Sequence, residues 1–524
     1  MTSAPFEAGT TSRAERLFVI FLNLLLGVAF LYACRVLLRG LWQPLLDMHA
    51  FRQTQTAITV YWLVHGGPWL AYETPVLGAQ WSIPFEFPVY QWIVAPLAMA
   101  GVPLDAAGRI ISFLFYVATL WPMALLFRVT GLGRVTFRCT AILFMTAPLY
   151  LYWSRTFMPE SCALFFSCLS LALLASFLQN RRGTLAVTAL VAGSIATLAK
   201  ATTFPAFAVI GGCLILIDLS IRFRSKSSLT ILVSVVVPAL IITLPMIVGF
   251  VWVYYSDQIK FANEFGRDFL TSRALVHWTI GSLQQRFSAA LWQATIENRV
   301  LPDLFGFAAL PAFVVVGGAL IQGRFALGAV LALVGFLVPF LAFANLHIVH
   351  NYYQYANGIF ALACVGIGLG NLVEGRRPFQ YIIATVTLIA IVVGQIAYFR
   401  GTFLPFVTGD YSQDRVYRIA ELAKERTPPN SSILVFGEDW ASTAPYYAER
   451  KGLVVPYFTP PAWIDKIIAD PQSYLDDRQL GGIVLCRDRI TSYNTRAAAI
   501  EQFVAQHAVI GKFGDCELVS PRPK

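Results

Sequence analysis

The chain has 524 residues, 57% of them hydrophobic and 13% charged, with a formal net charge of +10. Soluble proteins average roughly 45–50% apolar and about 25% charged residues, so this composition excludes an ordinary soluble globular protein and implies a polytopic membrane protein. The basic balance does not point to nucleic acid, because Lys and Arg gather at the ends of apolar runs, where they set topology and meet lipid headgroups.

Arg13 and Arg16 precede an apolar run from Leu17 to Leu38, close to the roughly 20 residues a helix needs to cross a bilayer. The run is longer than a signal-peptide core and lacks its small-residue cleavage site, so it is expected as an uncleaved first span entering from the cytoplasm. Ala50–Val64 mixes Phe51, Ile58, Tyr61 and Trp62 with Arg52, Gln53 and Gln55, the pattern of an amphipathic helix lying on the membrane. His65-Gly66-Gly67-Pro68 ends it. Val89–Gly101 is apolar but too short to span. It is expected as an interfacial or re-entrant helix, with Tyr90 and Trp92 at headgroup level.

Further apolar runs fall near 107–127, 138–153, 161–179, 184–199, 203–220, 229–252, 302–321, 325–343, 355–373 and 379–398, which makes about eleven spans. Alternate gaps are basic: Arg128, Arg134 and Arg138; Arg181 and Arg182; Arg222, Arg224 and Lys226; Arg324; Arg376 and Arg377. These mark the cytoplasmic loops. The remaining gaps hold Asp47 to Glu86, Arg155 to Glu160, Lys200, a stretch from Tyr254 to Pro302, and His347 to Tyr355. Every candidate for chemistry therefore falls on one face.

After Phe399 the composition turns polar. SSILVF, GLVVPY and GGIVLC read as strands, and SQDRVYRIAELAKERT and TRAAAIEQFVAQH as helices, the alternation of an α/β domain. The expected organisation is a membrane domain over 1–399, with catalytic outer loops at 39–106 and 254–301, followed by a soluble α/β domain over 400–524. Eleven crossings from a cytoplasmic start place that domain outside, in a periplasm, as an accessory or acceptor-docking unit. GxGxxG and P-loop motifs are absent, so nothing suggests nucleotide binding. Most of the eight cysteines lie in spans as small packing residues. Cys486 and Cys516 both fall in the outer domain, where the compartment permits a disulfide that sequence cannot establish.

Ionisable groups beside spans are costly and mark candidate sites. Asp47 in LLDMHAFRQTQTA and Glu160 in WSRTFMPESCALFF are two such acids, followed by the cluster LHIVHNYYQYA. An activated lipid-phosphate donor needs three things from an enzyme: a base for the acceptor hydroxyl, in-line positioning, and cations for the departing phosphate. Asp47 is the candidate base and Glu160 the acid that orients acceptor or base. Arg52, Arg155 and Lys200 are candidates for the phosphate, and His350, Tyr352 and Tyr353 for donor hydrogen bonds. His49 is an alternative base. Glu86 and His350 are of types that suit a divalent metal, although two ligands do not define a site; no nucleotide sugar or free-energy source is required. Asp47 also suits the N-cap of a helix starting near His49, Glu160 a helix N-terminus, and Arg155 and Lys200 a snorkelling role.

The layout of roughly the first 400 residues resembles C-type-fold membrane glycosyltransferases, in the branch of protein mannosyltransferases and aminoarabinose transferases of lipid A. Asp47 is similar to the family's first-loop aspartate, FEFPVYQW around Glu86 to a glutamate–lysine–proline motif, TFMPE to a second acidic motif, and HNYYQYA to a His/Tyr motif at a late span. Lys200 in TLAKATTFP is similar to a lysine at the end of an outward-running span. Two positions depart from the pattern: Met48 follows Asp47 where relatives carry a second acid, and Phe87 replaces the lysine after Glu86. HAFRQTQTA is similar to cell-envelope members related to galacturonosyl transferases. The resemblance implies transfer of one sugar, with inversion, from a polyprenyl-phosphate donor. The acceptor would be lipopolysaccharide, another glycan, a lipid or a protein, on the periplasmic face of a bacterial inner membrane. A lipid-linked oligosaccharide polymerase or ligase, and a lipid-linked glycan transporter, are the alternatives.

Overall fold

The computed structural model describes residues 12–222, 228–321 and 325–524. Arg224, Lys226 and Arg324, expected in cytoplasmic loops, lie outside the described residues. Each apolar run in the sequence is helical. Among the described residues, six helices are long and apolar enough to cross a bilayer: Arg13–Gly40, Leu104–Val129, Glu160–Asn180, Phe204–Ile221, Ser234–Lys260 and Pro378–Thr402. Ala290–Phe305 and Ala309–Ile321 form a further candidate bent by 92°. The runs at 184–199, 325–343 and 355–373 form shorter helices, Gly183–Ala199, Ala326–Ala342 and Gly358–Leu372. The run at 138–153 divides into Arg134–Thr146 and Pro148–Trp153, because Pro148 has no N–H to continue the first helix. The protein is a multi-pass membrane protein with a small C-terminal sheet domain.

That domain carries β1 (Ser432–Phe436), β2 (Lys451–Val454), β3 (Leu480–Cys486), β4 (His507–Phe513) and β5 (Cys516–Pro523) in the order β2-β1-β3-β5-β4. β1 runs parallel to β2 and β3, and β4 and β5 add an antiparallel hairpin. Cys486 and Cys516 pair as a disulfide joining β3 to β5. The exposed edge at β2 is covered by the segment between the first two long helices: Gly452 N–H donates to Pro75 O at 3.0 Å and Val454 N–H to Val76 O at 2.7 Å. Lys451 pairs with Glu73 at 2.6 Å. Covering an edge strand this way removes a ladder of unpaired backbone groups and fixes the sheet over the membrane domain.

The same segment departs from two expectations. The helix Ala50–Val64 forms as read, but eleven of its fifteen residues are buried, Arg52, Gln53, Thr54 and Gln55 among them. It is an interior helix, not one lying on the membrane. Its polar side faces partners supplied by the rest of the fold, including the C-terminal helix Thr443–Ala448, where Thr443 Oγ1 is 3.4 Å from Thr54 Oγ1. The short helix Val89–Met99 also forms, but Tyr90 is fully buried and its hydroxyl lies 2.9 Å from Gly108 O and 2.8 Å from Ser112 Oγ. Tyr90 is therefore not a headgroup anchor. Trp92 donates to Trp69 O at 2.9 Å.

Gly108 lets the helix Leu104–Ala118 approach Phe157 so closely that a Cβ would overlap the ring. Phe157 N–H in turn donates to Gln53 Oε1 at 3.1 Å. Gly108→Ala is expected to destabilise the protein by about 1–3 kcal/mol through overpacking, read as a lower Tm in detergent.

Candidate active site

Arg109 is fully buried and donates to the carbonyls of Leu41, Gln43 and Pro44, fixing the chain as it leaves the first helix. That brings Asp47 into the interior, at 5% exposure. Its Oδ2 accepts from Arg155 Nη2 at 2.6 Å and its Oδ1 from Gln53 Nε2 at 2.5 Å. Met48 N–H donates to Tyr152 Oη at 3.0 Å. The N-cap of the following helix is His49, without a side-chain cap bond, so Asp47 does not cap it. His49 sits in the left-handed region (φ 56°, ψ 44°), a conformation that costs a non-glycine residue on the order of 1–3 kcal/mol and that gathers at functional sites.

Glu160 begins the helix Glu160–Asn180 and forms a buried ion pair with Lys200. Lys200 Nζ also lies 5.0 Å from the Tyr352 ring centre and 4.7 Å from that of Tyr353, within cation–π range. Arg52 pairs with Glu86. Each candidate acid thus holds one candidate cation, as a buried charge must. His49 Nε2 is 2.8 Å from Asn351 Oδ1, and its ring lies 5.3 Å from His350 and 5.1 Å from Tyr352. The structure brings Asp47, His49, Arg52, Glu86, Arg155, Glu160, Lys200, His350, Tyr352 and Tyr353 into one region.

Buried polar atoms there with no hydrogen-bond partner among the described residues include Arg155 Nε and Nη1, Trp153 Nε1, Glu160 Oε2 and His350 Nδ1. Native interiors leave few such groups. Three are donors suited to an anion, and one is a carboxylate oxygen able to accept from a hydroxyl.

A cavity of about 960 Å³ opens beside this cluster, a size typical of ligand sites. His49, Arg52, Glu86, His350, Tyr352 and Tyr353 line it, whereas Asp47, Arg155, Glu160 and Lys200 lie behind its wall. Burial opposes the charge of Glu86, but Arg52 and Lys200 outweigh it and hold the carboxyl below its usual range. Burial lowers His49, and burial with the nearby charges pushes His350 down to about 3. Both imidazoles are therefore neutral at pH 7. The expected outcome is that ligand binding, followed by tryptophan fluorescence, shows no histidine step near the ordinary value of about 6.5.

Glu86 and His350 share the cavity wall, yet the Glu86 carboxylate is engaged by Arg52, which a cation would have to displace. No group of three or more His, Cys, Asp or Glu is arranged to hold a metal among the described residues.

Sequence reading did not single out Gln53, Arg109, Tyr152, Trp153 or Asn351. It also missed the far wall of the cavity, which the C-terminal domain supplies through Glu438, Asp439, Trp440, Tyr457 and Arg489. Arg109 carried a signal, since it sits inside the apolar run LDAAGRIISF.

No family model matches the sequence, and the curated proteins give no match. Solved structures do match. ArnT from Cupriavidus metallidurans bound to undecaprenyl phosphate aligns at TM-score 0.62 and 13% identity, over 96% of this chain and 97% of that one. The chain has the C-type glycosyltransferase fold. The archaeal oligosaccharyltransferase AglB from Archaeoglobus fulgidus, in complex with an inhibitory peptide and a dolichol-phosphate, aligns at TM-score 0.60 and 11% identity, over 93% of this chain and 72% of that one. The arabinofuranosyltransferase AftD from Mycobacteria aligns at TM-score 0.54 and 14% identity, over 95% of this chain but 40% of that one.

Proposed function

We propose that this protein is a membrane glycosyltransferase that moves one sugar from a polyprenyl-phosphate carrier to an acceptor hydroxyl. The reaction would take place on the periplasmic face of a bacterial inner membrane. The observation that carries the proposal is the placement of Arg155. Its Nη2 holds the Asp47 carboxylate, while Nη1 and Nε are buried with no partner among the described residues. A guanidinium so placed links a base to an anion, and the anion it suits is the phosphate that leaves as the sugar is transferred.

In this reading the acceptor enters past His49. Glu160 Oε2 accepts from the acceptor and orients it, and Asp47 takes the hydroxyl proton as the oxygen attacks the anomeric carbon. The bond from that carbon to the phosphate oxygen breaks, and the carrier phosphate departs with the electron pair. Arg155, Lys200 and Arg52 offset its charge in a site sheltered from water, where such interactions are strongest. His350 and Tyr353 hydrogen-bond the donor. Attack opposite the leaving group inverts the anomeric centre. The undecaprenyl phosphate in the similar ArnT and the dolichol-phosphate in the similar AglB support a polyprenyl-phosphate donor. The AglB likeness also supports a second reading, a donor bearing an oligosaccharide.

Native mass spectrometry of the purified protein with undecaprenyl phosphate tests the donor. Retention of one carrier per chain, weakened in Arg155→Leu more than in a surface control such as Lys424→Ala, is the expected result. Equal retention by all three proteins contradicts the proposal.

A further inference from the structure

The far wall of the cavity is built from the carboxyl ends of two parallel strands. In the order β2-β1-β3 the connections from β1 and towards β3 leave on opposite sides of β1, and a sheet that reverses this way opens a crevice beyond the strand ends. The loop after β1 runs Gly437-Glu438-Asp439-Trp440, and the loop after β3 contains Arg489. Both line the cavity, facing His350 and Tyr352 on the membrane-domain side.

The β1 loop is held rigidly. Gly437 has φ 94°, and a Cβ there would overlap the Cys486 carbonyl oxygen at the end of β3, so only glycine allows the two strand ends to meet. Gly437 N–H donates to Tyr493 Oη at 3.0 Å, and Tyr457 Oη donates to Gly437 O at 2.7 Å. Asp439 accepts from Tyr457 N–H at 3.0 Å. Glu438 accepts from Arg415 Nη2 at 2.9 Å, and Arg415 also pairs with Asp488 and Asp515. Burial raises Glu438 to about 7. Ser442 Oγ, at the end of the same loop, is buried with no partner among the described residues.

We propose that this strand-end crevice is the acceptor subsite and that it takes a neutral sugar unit, which makes the acceptor a glycan. This rests on the glycosyltransferase reading above. Carboxylates accept from sugar hydroxyls, often from a vicinal pair, and the faces of Trp440 and Tyr457 pack on the C–H surface of a pyranose. Of the charged residues in this wall, Glu438 and Asp439 stand against Arg489 alone, which disfavours phosphorylated or uronic sugars. The position suits an acceptor, because the crevice lies across the cavity from His49, past which the hydroxyl must reach Asp47.

The test is saturation-transfer NMR on the full chain in nanodiscs. The probes are methyl glycosides of glucose, galactose, mannose and N-acetylglucosamine, with glucuronic acid and glucose 6-phosphate as anionic counterparts. Undecaprenyl phosphate binding is measured in parallel by native mass spectrometry. The expected result is saturation of at least one neutral glycoside, reduced about tenfold or more in Trp440→Ala and in Asp439→Asn, with carrier binding unchanged in both variants. Absence of saturation from every neutral glycoside overturns the inference, as does saturation equal in wild type and both variants, or stronger with the anionic sugars. Failure of the carrier to bind while neutral glycosides saturate counts against the polyprenyl-phosphate reading and leaves the sugar subsite standing. Loss of carrier binding in Trp440→Ala overturns the assignment of this wall to the acceptor.

Discussion

Asp47→Asn is expected to reduce sugar transfer by about 10²–10⁴-fold, the usual contribution of a positioned general base. The substitution keeps the shape of the side chain and an oxygen for Gln53 or Arg155, but it removes the negative charge that Arg155 meets at 2.6 Å. Breaking one side of a buried pair costs about 3–5 kcal/mol, so lost activity alone would not separate chemistry from folding. The double variant Asp47→Asn with Arg155→Leu resolves this. It removes both charges and is expected to recover much of the thermal stability lost in the single variant while remaining inactive. Recovery of transfer along with stability would mean that the Asp47–Arg155 pair is structural and that neither residue acts in the chemistry. Single-turnover transfer of a labelled sugar and a melting curve on the same preparations give both readouts.

Lys200→Met is expected to weaken carrier binding by about ten- to a hundredfold, since a hydrogen bond to a charged group contributes about 1.5–3 kcal/mol. Lys200 is held against two tyrosine faces, those of Tyr352 and Tyr353, at the edge of the cluster. Its loss also strands Glu160, which is 3% exposed, so the comparison to make is with Glu160→Gln/Lys200→Met. That pair should fold better than Lys200→Met alone, bind the carrier as weakly, and transfer less. Carrier binding restored to wild-type strength in the double variant would show that Lys200 acts on Glu160 and not on the phosphate. Surface plasmon resonance with carrier-loaded vesicles measures it.

The part of the site that is legible in the sequence is the part that is costly to place. Acids at the ends of apolar runs are expensive there, and that cost alone singles out Asp47 and Glu160. Their partners are legible as residues but not as pairs. Asp47 meets Arg155 across 108 positions and Glu160 meets Lys200 across 40, and no local pattern encodes which distant cation each acid will hold. The same limit explains why Ala50–Val64 differs from its expected place. Its mixed apolar and polar residues are those of a membrane-surface helix, and its polar side is buried by residues distant in sequence: Arg52 meets Glu86, Gln53 meets Asp47 and Phe157, and Thr54 approaches Thr443. Tyr90 differs for a related reason, since its polar tip finds Gly108 O and Ser112 Oγ inside the fold instead of a headgroup.

In the C-terminal domain the three parallel strands are visible as short apolar runs. The β4–β5 hairpin is not, although the turn at Gly514-Asp515 between two extended stretches is available as a signal. Glu438, Asp439 and Trp440 become candidates only with the strand order, because the crevice they line exists where two strand ends meet and not in either loop alone.

Transfer of a sugar from a polyprenyl-phosphate donor with Asp47 as base is open to direct test. The most direct measurement incubates the purified protein in nanodiscs with radiolabelled polyprenyl-phosphate monosaccharides and a crude envelope acceptor extract, beside Asp47→Asn and Glu160→Gln. The expected result is transfer from one donor by the wild type, loss of that transfer in folded Asp47→Asn, and a smaller loss in Glu160→Gln. Transfer that survives undiminished in Asp47→Asn would contradict it and move the base to His49.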